Sequence, residues 1–278
     1  MVSFGQNLTG YVEFTTTAKS GQTVEISHGE ILDQAGNFYT ENLRTAKQKL
    51  VYICKEGTQT FKPQHTFMGF RYIRLDQAPE DISCTAIVVH SDIKRTGFFT
   101  CGNEKINQLY RNIIWGQKGN FLDIPSDCPQ RDERMGWTGD AQVFTRTTTY
   151  NFQVDKFFQK WLNDLRVDQY ENGLVPYIVP DVIKGTGCSA AWGDAAVICP
   201  WQLYLTYGDR EVLQRQFDSM RRWAEYMHNC GDEPDLWDSS HDHFGDRLGL
   251  DVRKAGHVNR SLIVPYPGWC CHVPAQQS

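Results

Sequence analysis

The stretch Asn103-Glu104-Lys105-Ile106-Asn107-Gln108-Leu109-Tyr110-Arg111-Asn112-Ile113-Ile114 marks the point where the hydrophobic period of the chain changes. Its apolar residues recur at helical spacing, which predicts an amphipathic α-helix. We expect this helix to end within residues 121–125, because Pro125 disfavours the α conformation of the residue before it. The sequence therefore predicts a boundary between two kinds of structure at residues 94–126.

Upstream of this boundary, apolar and polar residues alternate along short runs that are separated by Gly, Asn, Asp and Pro turn residues. Short alternating strands with regular turn signals are typical of an antiparallel β-sandwich, which we predict for residues 1–93. The predicted strands are residues 11–15, 23–27, 50–54, 70–75 and 85–89, with turns at 19–21, 34–37, 55–57 and 77–79.

Downstream of the boundary the regular segments are helical. Two broad apolar faces are present, and a third helix, over residues 194–207 and interrupted by Pro200, is expected between them. The first face consists of Val154, Phe157, Phe158, Trp161, Leu162 and Leu165, and the second of Val212, Leu213, Phe217, Met220, Ala224 and Met227. The helix that carries the second face is expected to begin after Asp209, a good N-cap residue.

Composition excludes several functions. The apolar fraction of 40% and the charged fraction of 22% are ordinary for a soluble globular protein. The net charge is −5 and no cluster of Lys and Arg is present, so no nucleic-acid partner is expected. No apolar run is long enough for a membrane span, and the first residues lack the features of a signal peptide.

Nine cysteines are scattered without a C-x-x-C pair, and an odd number of them cannot all form disulfides. Free thiols are typical of a reducing compartment, so we expect a cytoplasmic location. A secretion signal on sequence outside this chain is left open. His241 and His243 are spaced as loop residues rather than as a zinc site.

The densest chemical signal is Asp127-Cys128-Pro129-Gln130-Arg131-Asp132-Glu133-Arg134-Met135-Gly136-Trp137-Thr138-Gly139-Asp140. Its carboxylates are interleaved with arginines and with residues that favour partial burial, an arrangement that suits acid/base chemistry. A solvated charged loop is the competing interpretation, and the residues alone leave the two at even odds. Glycoside hydrolysis is the reaction class that fits best, because it needs one protonated and one ionised carboxyl group.

This stretch resembles the signature of glycoside hydrolase family 78, the bacterial α-L-rhamnosidases. Further resemblance to the β-sandwich of that family is found at residues 4–10, 41–46 and 67–72. Resemblance to its catalytic domain is found at residues 119–121, 160–162, 173–176 and 191–195. The resemblance extends from about residue 3 to about residue 250, nearly the whole chain.

The resemblance implies a multidomain α and β protein: an N-terminal antiparallel β-sandwich (1–93), a linker helix and connection (94–126) and the first part of an (α/α)6 catalytic barrel (127–278). It implies inverting hydrolysis of terminal non-reducing α-L-rhamnose, with rhamnose-containing glycosides or polysaccharides as substrates and no cofactor or metal. A homo-oligomer is left open. By position, Glu133 is similar to the general acid, and the similar substrate-binding residues are Asp127, Arg131, Asp132, Trp137, Asp140 and Trp192.

Several of these positions have other interpretations. A core position for Trp192 is nearly as well supported as an aromatic wall against the sugar, and Asp194 could cap a helix. The core interpretation is preferred for Trp161, Trp201 and Trp223, because they fall among helical apolar positions.

The pattern departs from the family near its end. The general base of the family is a glutamate late in the barrel, and Glu211, Glu225 and Glu233 match no motif for it. The resemblance is lost after Asp251, so we expect an incomplete barrel, an aberrant or truncated segment at 251–278 and a nearly inactive chain. The alternatives are another carbohydrate-active enzyme on an α/α toroid, a non-catalytic carbohydrate-binding protein, and a calcium site at Asp127, Asp132 and Asp140.

Overall fold

A computed structural model describes residues 1–185, 187 and 189–230. Residue contacts divide the chain into two compact units. The first comprises residues 1–92 and 98–135, and the second comprises residues 93–97 and those from 136 onward. The expectations for Cys188, His241, His243 and residues 251–278 lie outside the described residues, and the predicted domain boundaries stay a prediction.

The first unit is built on a six-stranded antiparallel sheet in which the long strand β1 (Val2–Ala18) is central. The strand order is β3-β2-β5-β1-β4, and β6 pairs with the other edge of β1. The bounds are β2 (Thr23–Gly29), β3 (Lys49–Ile53), β4 (Gly57–Phe61), β5 (Met68–Asp76) and β6 (Ser83–Val88). The predicted antiparallel strands are confirmed.

Their arrangement differs from the predicted sandwich. Strands β1–β6 form one curled, half-barrel sheet rather than two facing layers. The reason lies in β1, which pairs with β5 over its first half and with β4 and β6 over its second half, and so joins all strands into one hydrogen-bonded surface. The hydrophobic core of this sheet includes Val12, Phe14, Val24, Ile26, Phe70 and Ile73.

Strand β4 was not predicted, although the turn at Gly57 before it was. Its sequence, Gly-Thr-Gln-Thr-Phe, has polar residues at inward positions. Gln59 is buried there because its side-chain amide donates to the carbonyl oxygens of Lys55 and Gly57. A buried, satisfied glutamine breaks the apolar alternation by which strands are recognised.

The predicted helix at the boundary is α1 (Glu104–Asn120), and it belongs to the first unit. The side chain of Asn103 caps it by accepting hydrogen bonds from the amides of Lys105 and Ile106. The predicted apolar face is confirmed at Ile114, which is buried, and wrong at Ile106 and Leu109, which are exposed. Asn107 and Gln117 are buried in their place. Asn107 faces inward because its amide group binds the backbone of Cys101. The short strands β7 (Phe121–Leu122) and β8 (Ile124–Pro125) follow.

The second unit contains α2 (Thr138–Asn151), α3 (Asp155–Asp168), α4 (Ala195–Tyr207) and α5 (Arg210–Asn229), with α4 in contact with the other three. The predicted apolar face of α3 is confirmed, since all six of its residues are buried. Pro200 lies inside α4, and the side chain of Asp209 caps α5 as predicted. Phe217 was wrongly assigned to the buried face of α5, which instead contains Gln216 and Trp223.

Helix α2 was not predicted, because threonines occupy much of its buried face. Thr145 and Thr148 donate their hydroxyl protons to the carbonyl oxygens of Ala141 and Thr145, which satisfies these groups without apolar side chains. Among the described residues, no helix is long and apolar enough to cross a membrane.

We predict that buried His28 makes the first unit sensitive to acid. Burial lowers the pKa of His28 from 6.5 to about 4. Between these two pH values the unfolded chain protonates His28 and the folded chain does not. The free energy of unfolding is therefore highest above pH 6.5 and decreases as the pH falls to about 4. The difference amounts to about 3 kcal/mol.

Hydrogen–deuterium exchange of β2 and β5 peptides in increasing urea measures this free energy of unfolding at pH 7, 5.5 and 4. His28→Asn should remove most of the loss, whereas His65→Asn, at an exposed position, should retain it. Equal pH dependence in the wild type and His28→Asn would contradict the assignment.

Candidate active site

The carboxylate-rich segment forms a closed loop in the first unit. Its ends are joined by two hydrogen bonds: the amide of Asp127 donates to the carbonyl oxygen of Met135 (3.0 Å), and the amide of Met135 donates to Oδ1 of Asp127 (2.9 Å). The Asp127 side chain is only 7% exposed. Asp127 therefore fixes the neck of the loop, in addition to any role toward a ligand.

The loop lies against strand β5 at Gly69. A Cβ atom at this position would stand 2.8 Å from Cβ of Gln130 and 2.9 Å from Cγ of Pro129. Both distances are far shorter than ordinary van der Waals contact, so a glycine is required here for the loop to reach the sheet.

Two carboxylates and two guanidinium groups meet at the loop. Arg131 Nη2 lies 3.4 Å from Oδ2 of Asp127 and 3.8 Å from Oε2 of Glu133. Arg44 Nη1 donates to the same Glu133 oxygen at 2.9 Å. The Glu133 side chain is 22% exposed, so it does not point into bulk water. The cluster is electrically balanced and partly buried, which orients Glu133 through Oε2.

Arg44 and Thr45 are site residues that the sequence prediction did not assign. They follow a short 3₁₀ helix, Glu41–Leu43, and Arg44 adopts a left-handed backbone conformation with φ of 58°. The Thr45 hydroxyl donates to Oδ2 of Asp132. This hydrogen bond is the main cause that lowers the pKa of the exposed Asp132 carboxyl. The family resemblance at residues 41–46 was the only sequence signal, and it gave no role to either residue.

Cys128 is the third potential metal ligand beside Asp127 and Glu133, and the donor atoms of the three lie within 4.8 Å of one another. Burial raises the pKa of the Cys128 thiol, which favours the neutral form over the thiolate that metals bind. Arg44 and Arg131 also supply positive charge next to the carboxylates. The donor set therefore suits hydrogen bonding better than a cation.

The remaining predicted site residues lie in the second unit. The rings of Trp137 and Trp192 both contact Tyr177, at centroid distances of 6.2 Å and 6.0 Å. Tyr177 is buried and was missed, although the quoted resemblance at residues 173–176 ends immediately before it. Gly139 lets the Trp192 indole approach α2, because a Cβ there would stand 2.8 Å from Nε1. Both indoles are half-buried.

Asp140 and Asp194 occupy the beginnings of helices. Asp140 is exposed in the first turn of α2, where the helix dipole favours a negative charge. Asp194 stands at the N-cap position of α4, but its side chain does not cap that helix. Its oxygens accept instead from Trp223 Nε1 and from the amide of Ala191, both at 3.0 Å. Trp161 and Trp223 are buried core residues, as predicted, and Trp201 is half-buried.

Comparison with known proteins gives consistent matches. Residues 94–264 match the family profile of the bacterial alpha-L-rhamnosidase 6 hairpin glycosidase domain, and residues 1–94 match that of the bacterial alpha-L-rhamnosidase concanavalin-like domain. The larger of the two matched segments, residues 94–264, thus belongs to a class of glycosidase domains. The chain belongs to the bacterial α-L-rhamnosidase family, and the resemblance found in the sequence is confirmed.

Individual relatives agree with this assignment. An alpha-L-rhamnosidase of Formosa agariphila is 44% identical over 227 residues, which cover 80% of this chain and 24% of the relative. One of Streptomyces avermitilis is 40% identical over 236 residues, which cover 84% of this chain and 23% of the relative. The chain therefore spans about a quarter of the length of these relatives.

Solved structures match as well. The crystal structure of the Streptomyces avermitilis alpha-L-rhamnosidase complexed with L-rhamnose has a TM-score of 0.85 and 37% identity, covering 94% of this chain and 25% of that one. Native rhamnosidase from Aspergillus terreus has a TM-score of 0.83 and 40% identity, covering 88% and 29%.

We predict that Gly69→Ala displaces the loop, because its methyl group would overlap Pro129 and Gln130. Overpacking of this kind costs about 1–3 kcal/mol of stability. Urea unfolding should show this loss, and hydrogen exchange at the Asp127 and Met135 amides should become faster. The matched control is Gly102→Ala, at which a Cβ meets nothing within 4 Å. Equal stability of the two variants would show that the close approach is not required.

The ion pair between Arg44 and Glu133 should contribute little to stability. Arg44 is 56% exposed, and exposed pairs contribute at most about 1 kcal/mol. A double-mutant cycle of Arg44→Gln and Glu133→Gln, followed by urea unfolding, should give a coupling energy of about 0.2–1 kcal/mol. A coupling of zero would mean that the two side chains do not pair in solution.

Proposed function

We propose that this chain supplies the acid half of an inverting glycosidase that removes terminal α-L-rhamnose from rhamnosides. The observation that carries the proposal is the closed, partly buried loop of Asp127, Arg131 and Glu133 in a chain of this family. The relatives are named alpha-L-rhamnosidases, and this chain spans about a quarter of their length. These names support rhamnosides as the proposed substrates. They do not favour the other toroid enzymes or a non-catalytic binding protein.

Glu133 is the proposed general acid. It is ion-paired with Arg44, whereas protonation of a departing glycosidic oxygen requires a carboxylic acid that faces this oxygen. The acid step therefore requires that the ion pair opens and that Glu133 takes up a proton. Arg44, which is 56% exposed, has room to move away, while the buried Asp127 holds the loop in place.

Asp127 is unsuited to be the general base. Inverting enzymes separate their carboxyl groups by about 6.5–9.5 Å so that a water molecule fits between them. Ligand oxygens of Asp127 and Glu133 lie within 4.8 Å, and those of Asp127 already bind the Met135 amide and Arg131. Asp127 is thus proposed to shape the loop and to bind rhamnose, together with Arg131 and Asp132.

Other candidate bases also fit poorly. Glu211 and Glu225 form exposed ion pairs with Arg215 and Arg221 on α5, and Glu233 lies outside the described residues. We propose that the base is not among the glutamates of the described part of the chain. Since Glu233 also matches no motif for the base of the family, we propose that the 278-residue chain is slower on its own than a full-length relative by about 10²–10⁴-fold, the usual contribution of general-base assistance.

The finer features of the family complete the proposal. Helices α2–α5 are proposed to be part of an (α/α)6 barrel. The aromatic set of Trp137, Tyr177 and Trp192 is proposed to contact the sugar, with Asp140 nearby in the sequence. A cytoplasmic location and the absence of a cofactor stay predictions of the sequence.

The test of function uses a chimera in which residues 1–230 of this chain replace the matching segment of the Streptomyces avermitilis relative, so that the remainder of a full-length alpha-L-rhamnosidase is present. The chimera should cleave 4-nitrophenyl α-L-rhamnoside, while aryl α-L-mannosides and α-L-fucosides remain intact. L-Rhamnose binding without any hydrolysis by the folded chimera would favour a binding protein.

Glu133→Gln in the chimera should distinguish leaving groups. An alkyl rhamnoside needs protonation of its departing oxygen, so its kcat should fall about 10²–10⁴-fold. The 2,4-dinitrophenolate leaving group departs without protonation, so kcat for the 2,4-dinitrophenyl rhamnoside should fall much less. Glu41→Gln, at an exposed position, is the matched control and should change neither. Equal losses for both substrates would remove Glu133 from the acid role.

A further inference from the structure

A cavity adjoins the loop within the first unit. It has a volume of about 390 Å³, and its wall includes Lys47, Lys49, Arg131, Asp132 and Arg134. This volume falls in the range of small-molecule sites. Four of these side chains are cationic and one is anionic, so the wall carries an excess of positive charge.

Two of the cations are already compensated. Lys49 pairs with Glu25 at 2.5 Å, and Arg131 pairs with Asp127 and Glu133. Lys47 and Arg134 have no carboxylate partner in the part of the chain that the structure describes. The positive charge of the cavity therefore comes mainly from Lys47 and Arg134.

Arg134 is held in place at some cost. Its guanidinium group lies 4.5 Å from the ring centroid of Phe67, and its backbone has a left-handed φ of 54°. Burial lowers the pKa of Arg134, which remains cationic at physiological pH. A half-buried charge without a counter-ion is unfavourable, so an anion in the cavity would be stabilised.

Arg131 bounds the cavity on the side of the loop. Its Nη2 atom faces Asp127 and Glu133. Its Nε–H group is buried and lies out of reach of a ligand in the cavity. Arg131 therefore contributes to the wall, while Lys47 and Arg134 provide the charge that a ligand can meet.

The position of the cavity relates it to the leaving group. Arg131 is both part of its wall and 3.8 Å from Glu133, the proposed acid. A general acid stands next to the oxygen of the departing group. The cavity is therefore placed to hold the residue to which rhamnose is attached.

We propose that this cationic cavity, bounded by Lys47, Arg131 and Arg134, binds an anionic sugar on the leaving side of the glycosidic bond, carrying either a uronate carboxylate or a sulfate ester. The proposal rests on the proposed function for its orientation, since the leaving side is defined by Glu133. The preference of the cavity for a negatively charged sugar does not depend on that function, and it can be measured as binding without turnover.

The experiment is an NMR titration of the ¹⁵N-labelled 278-residue chain. Methyl β-D-glucuronide and methyl β-D-glucoside 6-sulfate are compared with neutral methyl β-D-glucoside and with inorganic sulfate. At least one of the anionic sugars should bind about tenfold more tightly than the neutral one, as expected for hydrogen bonds to a charged group. Amide signals of residues 46–49 and 66–68 should shift, and the preference should decrease at high salt.

Lys47→Gln removes a positive charge from the wall of the cavity and should reduce the preference for the anion about threefold or more. Because Lys47 is exposed, the substitution should not disturb the core. Lys62→Gln, at another exposed position of the first unit, is the matched control and should leave the preference unchanged. Arg134→Gln is the second variant and should reduce the preference further. An unchanged preference in both Lys47→Gln and Arg134→Gln would overturn the proposal, as would sulfate binding as tightly as the sugars.

L-Rhamnose binding, measured on the same samples, separates the two proposals. Retained L-rhamnose binding with no preference for anionic sugars would overturn the cavity assignment and leave the proposed function intact. A preference for anionic sugars in a chain that does not bind L-rhamnose would contradict the proposed function, and with it the orientation of the cavity toward a leaving group.

Discussion

The closure of the loop by Asp127 determines where the other charged groups of the first unit lie. Its amide and its carboxylate both bind Met135, and its second oxygen pairs with Arg131. Since the side chain is almost completely buried, each of these hydrogen bonds is made in a poorly screened environment and contributes more than it would at the surface. They hold together the two ends of the loop formed by the seven residues between Asp127 and Met135.

This closure has a chemical consequence for Glu133. The loop presents it to two guanidinium groups, one from the same loop and one from Arg44, some ninety residues earlier in the chain. A carboxyl group that accepts charge-assisted hydrogen bonds and is only partly shielded from water is oriented but still able to exchange its partners. The neighbouring cationic cavity depends on the same loop, because Arg131 and Arg134, which flank Glu133 in the sequence, both contribute to its wall.

Much of the fold was predictable from local periodicity. Parts of strands β1, β2, β3, β5 and β6 and helix α3 were identified because apolar alternation or helical spacing is visible in a short window. The Asp209 cap was identified from its residue type before a helical pattern. Strand β4 and helix α2 were missed, since Gln59, Thr145 and Thr148 are buried polar residues whose hydrogen bonds form only in the folded chain. The single curled sheet likewise depends on the pairing of β1 along both edges, which periodicity does not encode.

The site was predictable in part. The run of carboxylates was visible in the sequence, and the structure brings Asp127, Arg131 and Glu133 together. Arg44 and Thr45 lie in a segment with a family resemblance, but their roles depend on contacts with Glu133 and Asp132 across nearly ninety residues, which local patterns do not reveal. Gly69 is a comparable example, because its importance comes from the loop that packs on it rather than from its neighbours in the strand.

The most direct measurement is a crystal structure of the chain with an alkyl α-L-thiorhamnoside, whose sulfur replaces the glycosidic oxygen and resists hydrolysis. A general acid at position 133 predicts a carboxyl oxygen within about 3–3.5 Å of this sulfur, with Arg44 displaced from Oε2. A bound thiorhamnoside whose sulfur lies beyond reach of Glu133, while the ion pair with Arg44 stays closed, would contradict the account.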